Sequence, residues 1–281
     1  MSLSEKIDRV CRYILHNPDG ELTLEVLSGV AALSKYHFHR VFLAGTGMTL
    51  YRFIQLSRLR RASFQLAFTD ARVIDIALDA GFESPEAFAR AFKKTFGQSP
   101  SQFRKKPEWS VWSSALAHLD QKGEKVMDVR IVHFEETKVA VLEHRGSPDL
   151  VMESVSRFIR WRKETGFSPV RTSSSFGIPY GDPDVTPGED FRFDICGSIT
   201  HDVPANEYGV RDGVIPAARC AVLRHAGSLD SVADSVYYMY REWLPKSGEE
   251  PADYPCYFHY LNLVPDVNEC DLQTDIYLPL K

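Results

Sequence analysis

The sequence predicts an all-α N-terminal part, two helix-turn-helix units on a bridging helix, followed by an α+β part. That second part is a duplicated strand-helix-strand-strand unit related by a pseudo-twofold axis. Three observations lead there. Apolar residues recur at helical spacing as far as Arg104, interrupted by cap residues and glycines. From Met127 the pattern turns to alternation, and AVLEHRGSPDLVMESVSRFIR at Ala140 returns as AVLRHAGSLDSVADSVYYMYR at Ala221, an offset of 81. Finally, residues 1–107 hold 16 Lys and Arg against 10 Asp and Glu, although the whole chain nets −5.

The 281 residues are 44% hydrophobic and 25% charged, an ordinary globular mix with room for two domains. These are expected at 1–107 and 128–281, with 108–127 joining them. No apolar run is long enough to span a membrane, and MSLSEKIDRV lacks the apolar core of a signal peptide. The five cysteines are scattered without a C-x-x-C pair, so a reducing cytoplasm is expected and no zinc site can be read. No motif calls for a cofactor. A basic first part suits phosphates; the acidic second part would be repelled by them.

Taken in order, Ser4 is expected to cap a first helix with Ile7, Val10, Cys11, Ile14 and Leu15 on one face, ended by Asn17-Pro18-Asp19-Gly20. Thr23 caps a second helix burying Leu24, Leu27 and Ala31. Ser34 opens a third, in which Phe38, Val41 and Phe42 point in while Lys35, Tyr36, His39 and Arg40 point out. Gly45-Thr46-Gly47 closes this unit. A long pattern from Thr49 to Phe68 reads as the bridge, with Arg58, Arg60 and Arg61 divided between the core surface and the backbone of DNA. A second unit follows. Val73, Ile74, Ala77 and Leu78 form its first apolar stripe, and Gly81 supplies a left-handed residue. Ser84 and Pro85 start a helix with Ala87, Phe88, Ala91 and Phe92 inward. Two such helices on one arm would reach successive major grooves, about 34 Å apart, without dimerisation.

The residues Ile74, Ala77, Gly81, Phe82, Ser84, Phe88, Arg90, Phe92, Lys93, Phe96, Gly97, Pro100 and Arg104 resemble the second half of the AraC/XylS family DNA-binding domain. The first unit carries the likeness through Leu27, Ser28, Ser34, Phe38, Arg40, Val41 and Phe42. Ser28 stands where the family usually has Ala. The resemblance implies double-stranded DNA as partner, and RNA polymerase as a further one. Base edges would be read by Tyr36, His39, Arg40, Glu86 and Arg90, and phosphates held by Ser34, Lys35, Ser84, Lys94 and Arg104. Arg can bond guanine O6 and N7 bidentately, and Glu can accept from cytosine N4. Pro85 offers only apolar contact. His37 is given no role.

In 108–126 only isolated Trp109, Trp112, Leu116 and Leu119 interrupt a polar stretch, which suits either a short docked helix or a mobile connection. Beyond it, each repeat reads as strand, Gly-Ser turn, helix and two strands, with DFRFDI at Asp190 matching DLQTDI at Asp271. Ser147 and Ser228 would start the helices. The crevice where the copies meet is a natural ligand site. Its expected lining is Trp161, Trp243, Tyr257, Phe258 and Tyr260, although aromatic stripes more often belong to a core.

RCAVLRHAGS, YREWLPKSG, PCYFHYLN and TDIYLPL resemble GyrI-like effector-binding domains. In that family a Glu commonly occupies the place of Phe258, facing the pocket. Its absence favours a neutral, hydrophobic or aromatic effector over a lipophilic cation; Glu207, Asp194 or Glu269 are the alternative carboxylates. The resemblance implies a ligand-responsive transcription regulator that is not an enzyme. Two alternatives stand beside it: a small-molecule hydrolase, which would lack its pocket acid/base here, and a protein-binding module.

Overall fold

The computed structural model describes residues 2–109, 111, 127–183 and 185–281. The chain divides into two compact units, Met1–Lys125 with Val264–Leu272, and Val126–Leu263 with Gln273–Lys281. Trp112, Leu116 and Leu119 lie outside the described residues.

The first unit is helical: α1 Leu3–His16, α2 Leu24–Ala31, α3 Lys35–Thr46, α4 Leu50–Phe68, α5 Val73–Asp79, α6 Pro85–Phe96 and α7 Pro100–Lys105. The cap of α1 is Ser2 rather than Ser4. Ser2 and Glu5 exchange side-chain and backbone bonds as a capping box, which satisfies two N-terminal donors at once. Thr23 and Ser84 cap as expected, accepting from Val26 and Ala87. Ser34 holds the N-cap position of α3 without a side-chain cap bond.

Both helix-turn-helix turns close the same way. Leu33 N donates to Ser28 O and Phe82 N to Ala77 O, each at 3.0 Å, after a left-handed residue. That residue is Gly81 (φ 74°) in the second unit but Ala32 (φ 49°) in the first. A Cβ on Gly81 would also fall 2.6 Å from the Arg58 guanidinium.

The buried stripe of α5 differs from expectation. Ile76 and Ala77 are fully buried, whereas Ile74 and Leu78 are exposed. Two helical stripes were available in this segment, and packing on α4 selected the one that Ala80 continues. Phe92 and Phe96 of α6 meet Phe103 of α7 and Phe88 packs on Phe92, while Trp109 packs edge-on to Phe103 at 5.3 Å and stacks on Phe68 at 5.8 Å. Of the three bridge arginines, Arg61 pairs with Asp19, and Arg60 is buried in a bidentate pair with Glu269.

The second unit is one antiparallel sheet with helices on one face. Its strands are β1 Val129–Phe134, β2 Thr137–Arg145, β3 Ser175–Pro179, β4 Arg192–Ser198, β5 Arg211–Ile215, β6 Ala218–Ala226, β7 Tyr257–Tyr260 and β8 Gln273–Leu280. Their order is β1-β6-β8-β7-β3-β4-β2-β5. Shifting β2, β3 and β4 by 81 gives β6, β7 and β8, so the order reads the same from both ends. The axis passes through the directly paired Gly177 and Phe258, themselves 81 apart. The leading strands are exchanged: β1 pairs with β6 of the second copy, and β5 with β2 of the first.

Helix α8, Val151–Thr165, covers Ala140, Leu142 and Ile195 with Phe158 and Trp161. Its mate is interrupted: α9 Val232–Tyr238, a π-helical segment Met239–Trp243, then α10 Leu244–Ser247. The copies start 81 apart, yet their left-handed closing glycines, Gly166 and Gly248, are 82 apart. A π-bulge absorbs the one added residue. The other sheet face carries Val139, Val141, Phe176, Ile178, Cys196 and Tyr257, packed with Phe134, Tyr254 and Tyr277.

Candidate DNA interface and effector site

Helices α3 and α6 each bury a phenylalanine stripe (Phe38 and Phe42; Phe88, Phe92 and Phe96). Helical periodicity then forces the intervening residues outward. Tyr36, His39, Arg40, Glu86 and Arg90 are all exposed, Tyr36 to 89%. Among the described residues none of their side chains holds a hydrogen bond or an ion pair. Cationic and aromatic groups left unsatisfied on exposed helix faces keep their full bonding capacity for an incoming partner.

The expected phosphate contacts fall into two groups. Lys94 is exposed, and the Ser34 hydroxyl, free of cap duty, stands beside open N–H groups at the start of α3. Lys35 instead pairs with Glu25, and the hydrogen bond from Lys35 holds that carboxyl below its usual range. Ser84 accepts from Ala87 N at 3.1 Å, and half-buried Arg104 donates to Ala71 O at 2.5 Å, tying α7 to the approach to α5. Arg104 thus has a folding role that its position in a motif does not reveal.

In the second unit, alternation places the five expected lining residues on two faces. Trp243, Phe258 and Tyr260 share one cluster with Met239. Trp161 belongs to the neighbouring cluster under α8, and Phe193 packs against both. Tyr257 lies on the opposite face, stacked on Tyr277 at 5.0 Å with Phe134 edge-on. At the axis Gly177 is the empty counterpart of Phe258; the Tyr260 hydroxyl and the Phe193 ring occupy the space its Cβ would take. Burial pushes the Tyr257 and Tyr260 phenols up, so both stay protonated donors.

None of the alternative carboxylates reaches this cluster by pairing. Asp194, on the helix-free face, is held by Arg192 at 2.7 Å and Tyr180 at 3.2 Å. Glu269 belongs to the first unit with Arg60, and Glu207 is exposed. A cavity of about 640 Å³ also opens among Lys138, Thr165, Ser168, Ser198 and His201; none of the five aromatic positions lines it, although its Phe167 packs against Trp161. It is built from strand ends and loops, where no periodicity marks it in the sequence. The equivalence of Gly177 and Phe258, by contrast, follows from the 81-residue offset, while their pairing at the axis is set by the sheet.

Comparison with known proteins agrees with these two parts. The family model described as a GyrI-like small molecule binding domain matches residues 127–281, and one described as a helix-turn-helix domain matches 27–106. A protein named as a probable transcriptional regulator, YgiV of Escherichia coli (strain K12), is 49% identical over 154 residues, which are 55% of this chain and 96% of that protein. The right origin-binding protein of the same strain is 38% identical over 94 residues, 34% of this chain and 32% of that protein. Among solved structures, a cryo-EM structure of the EcmrR-DNA complex in EcmrR-RPo aligns with 92% of this chain and 98% of that one, at 15% identity and a TM-score of 0.47. The chain belongs to the GyrI-like small-molecule-binding family and carries an AraC-type helix-turn-helix domain ahead of that domain.

Proposed function

We infer that this protein is a sequence-specific DNA-binding transcription regulator whose DNA affinity or activity responds to a small molecule held in the GyrI-like domain. The observation that carries the reading is the set of five exposed side chains on α3 and α6, unpaired among the described residues. Arg40 and Arg90 read guanine edges, Glu86 a cytosine, and Tyr36 and His39 donate to bases or phosphates. Lys94 and the open start of α3 at Ser34 set the register on the phosphates. Lys35, Ser84 and Arg104 are committed inside the protein and contribute less than their motif positions imply.

The effector enters the aromatic cluster beside the pseudo-twofold axis, among Trp243, Phe258 and Tyr260, which are packed together without it, with Trp161 next to it beyond Phe193. Tyr257 backs the strand from the other face. With Phe258 at the axis and no carboxylate in its cluster, the effector is neutral and hydrophobic or aromatic, and the protein releases it unchanged. The effector acts by binding more tightly to one of two states that differ in DNA affinity. RNA polymerase is a further partner in this reading, whether the bound protein activates or represses.

The testing experiment is DNA binding by fluorescence anisotropy on a site selected from random sequence, with and without effector. Neutralising several phosphates makes affinity fall steeply between roughly 50 and 200 mM salt. A flat salt response removes the DNA-binding reading. A hydrophobic compound that quenches tryptophan emission but leaves DNA affinity and transcription unchanged removes the coupling.

A further inference from the structure

The helical unit gathers three side chains of metal-ligating chemistry. His16 ends α1; Cys270 and Asp271 lie on the 3-10 turn Glu269–Asp271, within the same unit. One imidazole nitrogen, the Cys270 sulfur and one Asp271 carboxylate oxygen all lie within 4.8 Å of one another. His16 Nε2 is 3.6 Å from Asp271 Oδ1. The other ring nitrogen, Nδ1, is 2.7 Å from the carbonyl oxygen of Arg12. A carbonyl only accepts, so Nδ1 carries the hydrogen and donates it. In the neutral ring the Nε2 lone pair is then available on the side where Asp271 stands. A backbone carbonyl orienting the non-ligating nitrogen is the usual support of a metal-bound histidine.

We propose that His16, Cys270 and Asp271 form a transition-metal site, with zinc as the ion and a fourth position open to solvent. Nitrogen, sulfur and oxygen donors together exclude magnesium and calcium, which take oxygen alone, and suit zinc. Donors at zinc bond lengths in a tetrahedron lie roughly 3.5 Å apart. The side chains therefore close by at most about 1.3 Å, and those of His16 and Asp271, each nearly half exposed, are able to turn. Without metal Cys270 is a thiol, so metal entry forms the sulfur–zinc bond and releases one proton to solvent. The bound ion would staple α1 to the 264–272 segment, which Arg60 of α4 already holds through Glu269.

The competing account is a plain His16–Asp271 ion pair with Cys270 as bystander. Full-length, tag-free protein stripped with chelator separates the two by calorimetric titration with Zn²⁺ and optical titration with Co²⁺. The site binds one equivalent per chain. His16→Ala and Cys270→Ser each weaken it by about 10-fold or more, and the Co²⁺ adduct shows thiolate-to-cobalt charge-transfer absorption that Cys270→Ser abolishes. Cys256→Ser, a half-buried thiol elsewhere, leaves both signals intact. Far-UV circular dichroism confirms that the variants fold. The proposal is overturned by absence of a bound equivalent, by a cobalt spectrum without thiolate character, or by variants that bind like wild type.

Discussion

Ser235 Oγ lies 2.8 Å from Nδ1 of His225, and both residues are fully buried. His225 Nε2 is 3.0 Å from the carbonyl oxygen of Ser228, so Nε2 donates there while Nδ1 pairs with the Ser235 hydroxyl. The first copy repeats this with His144, Ser154 and Ser147, at 2.9 and 3.1 Å. In each copy the imidazole ties a strand end, the Gly-Ser turn and the following helix together. Ser235→Ala removes the hydroxyl partner of a buried ring nitrogen, so unfolding free energy falls by about 1–3 kcal/mol. Urea denaturation measures it; an unchanged midpoint would show that the bond contributes nothing.

Ala32 takes the left-handed conformation that Gly81 supplies in the second unit, and its side chain is exposed. A Cβ there strains the backbone without packing in return. Ala32→Gly is expected to stabilise the helical unit by about 1 kcal/mol, read as a higher thermal midpoint. A lower midpoint would contradict the turn geometry.

Arg40→Ala and Arg90→Ala remove exposed guanidinium groups that have no partner among the described residues. Each is expected to weaken the cognate site by about 1–3 kcal/mol and to relax sequence preference at one base pair. Thermal stability should stay within about 0.5 kcal/mol. Lys35→Ala, whose ammonium is already paired with Glu25, should weaken binding less than either.

The hydrogen bond from Arg145 at 2.5 Å, with Arg192 at 3.1 Å and Arg211 at 3.6 Å, holds the Glu143 carboxyl below its ordinary range. A depressed folded value stabilises fully above the unfolded value of about 4.3, and this contribution is lost as pH falls through the folded value. The group is partly solvated, so solvent screening holds it to about 1 kcal/mol or less. Glu143→Gln should flatten the acid limb of stability against pH while leaving the neutral region nearly level. Parallel acid limbs for variant and wild type would disprove the assignment.

Local patterns were legible to the extent that neighbours in sequence decide them. The Thr23 and Ser84 caps, the left-handed Gly81 and the phenylalanine stripes of α3 and α6 all follow from residues within one or two turns of each other. Where two local solutions compete, the reading falters. Ser2 displaced Ser4 because only Ser2 has Glu5 at the capping-box spacing, and α5 turned Ile76 rather than Ile74 inward. The effector lining divided for a related reason. Adjacent Tyr257 and Phe258 both read as crevice aromatics, but strand alternation sends them to opposite faces.

The sequence by itself determined the two-part architecture, the paired recognition helices and the 81-residue duplication, because periodicity, caps and repeats are written among near neighbours. Tertiary structure alone decided the exchange of β1 and β5 between copies, the burial of Arg60 against Glu269, and the meeting of His16 with Cys270 and Asp271. Those contacts join residues far apart in the chain. Their partners are chosen by which surfaces can be buried together without leaving a charge or backbone group unsatisfied, a condition on the whole fold that no local pattern encodes.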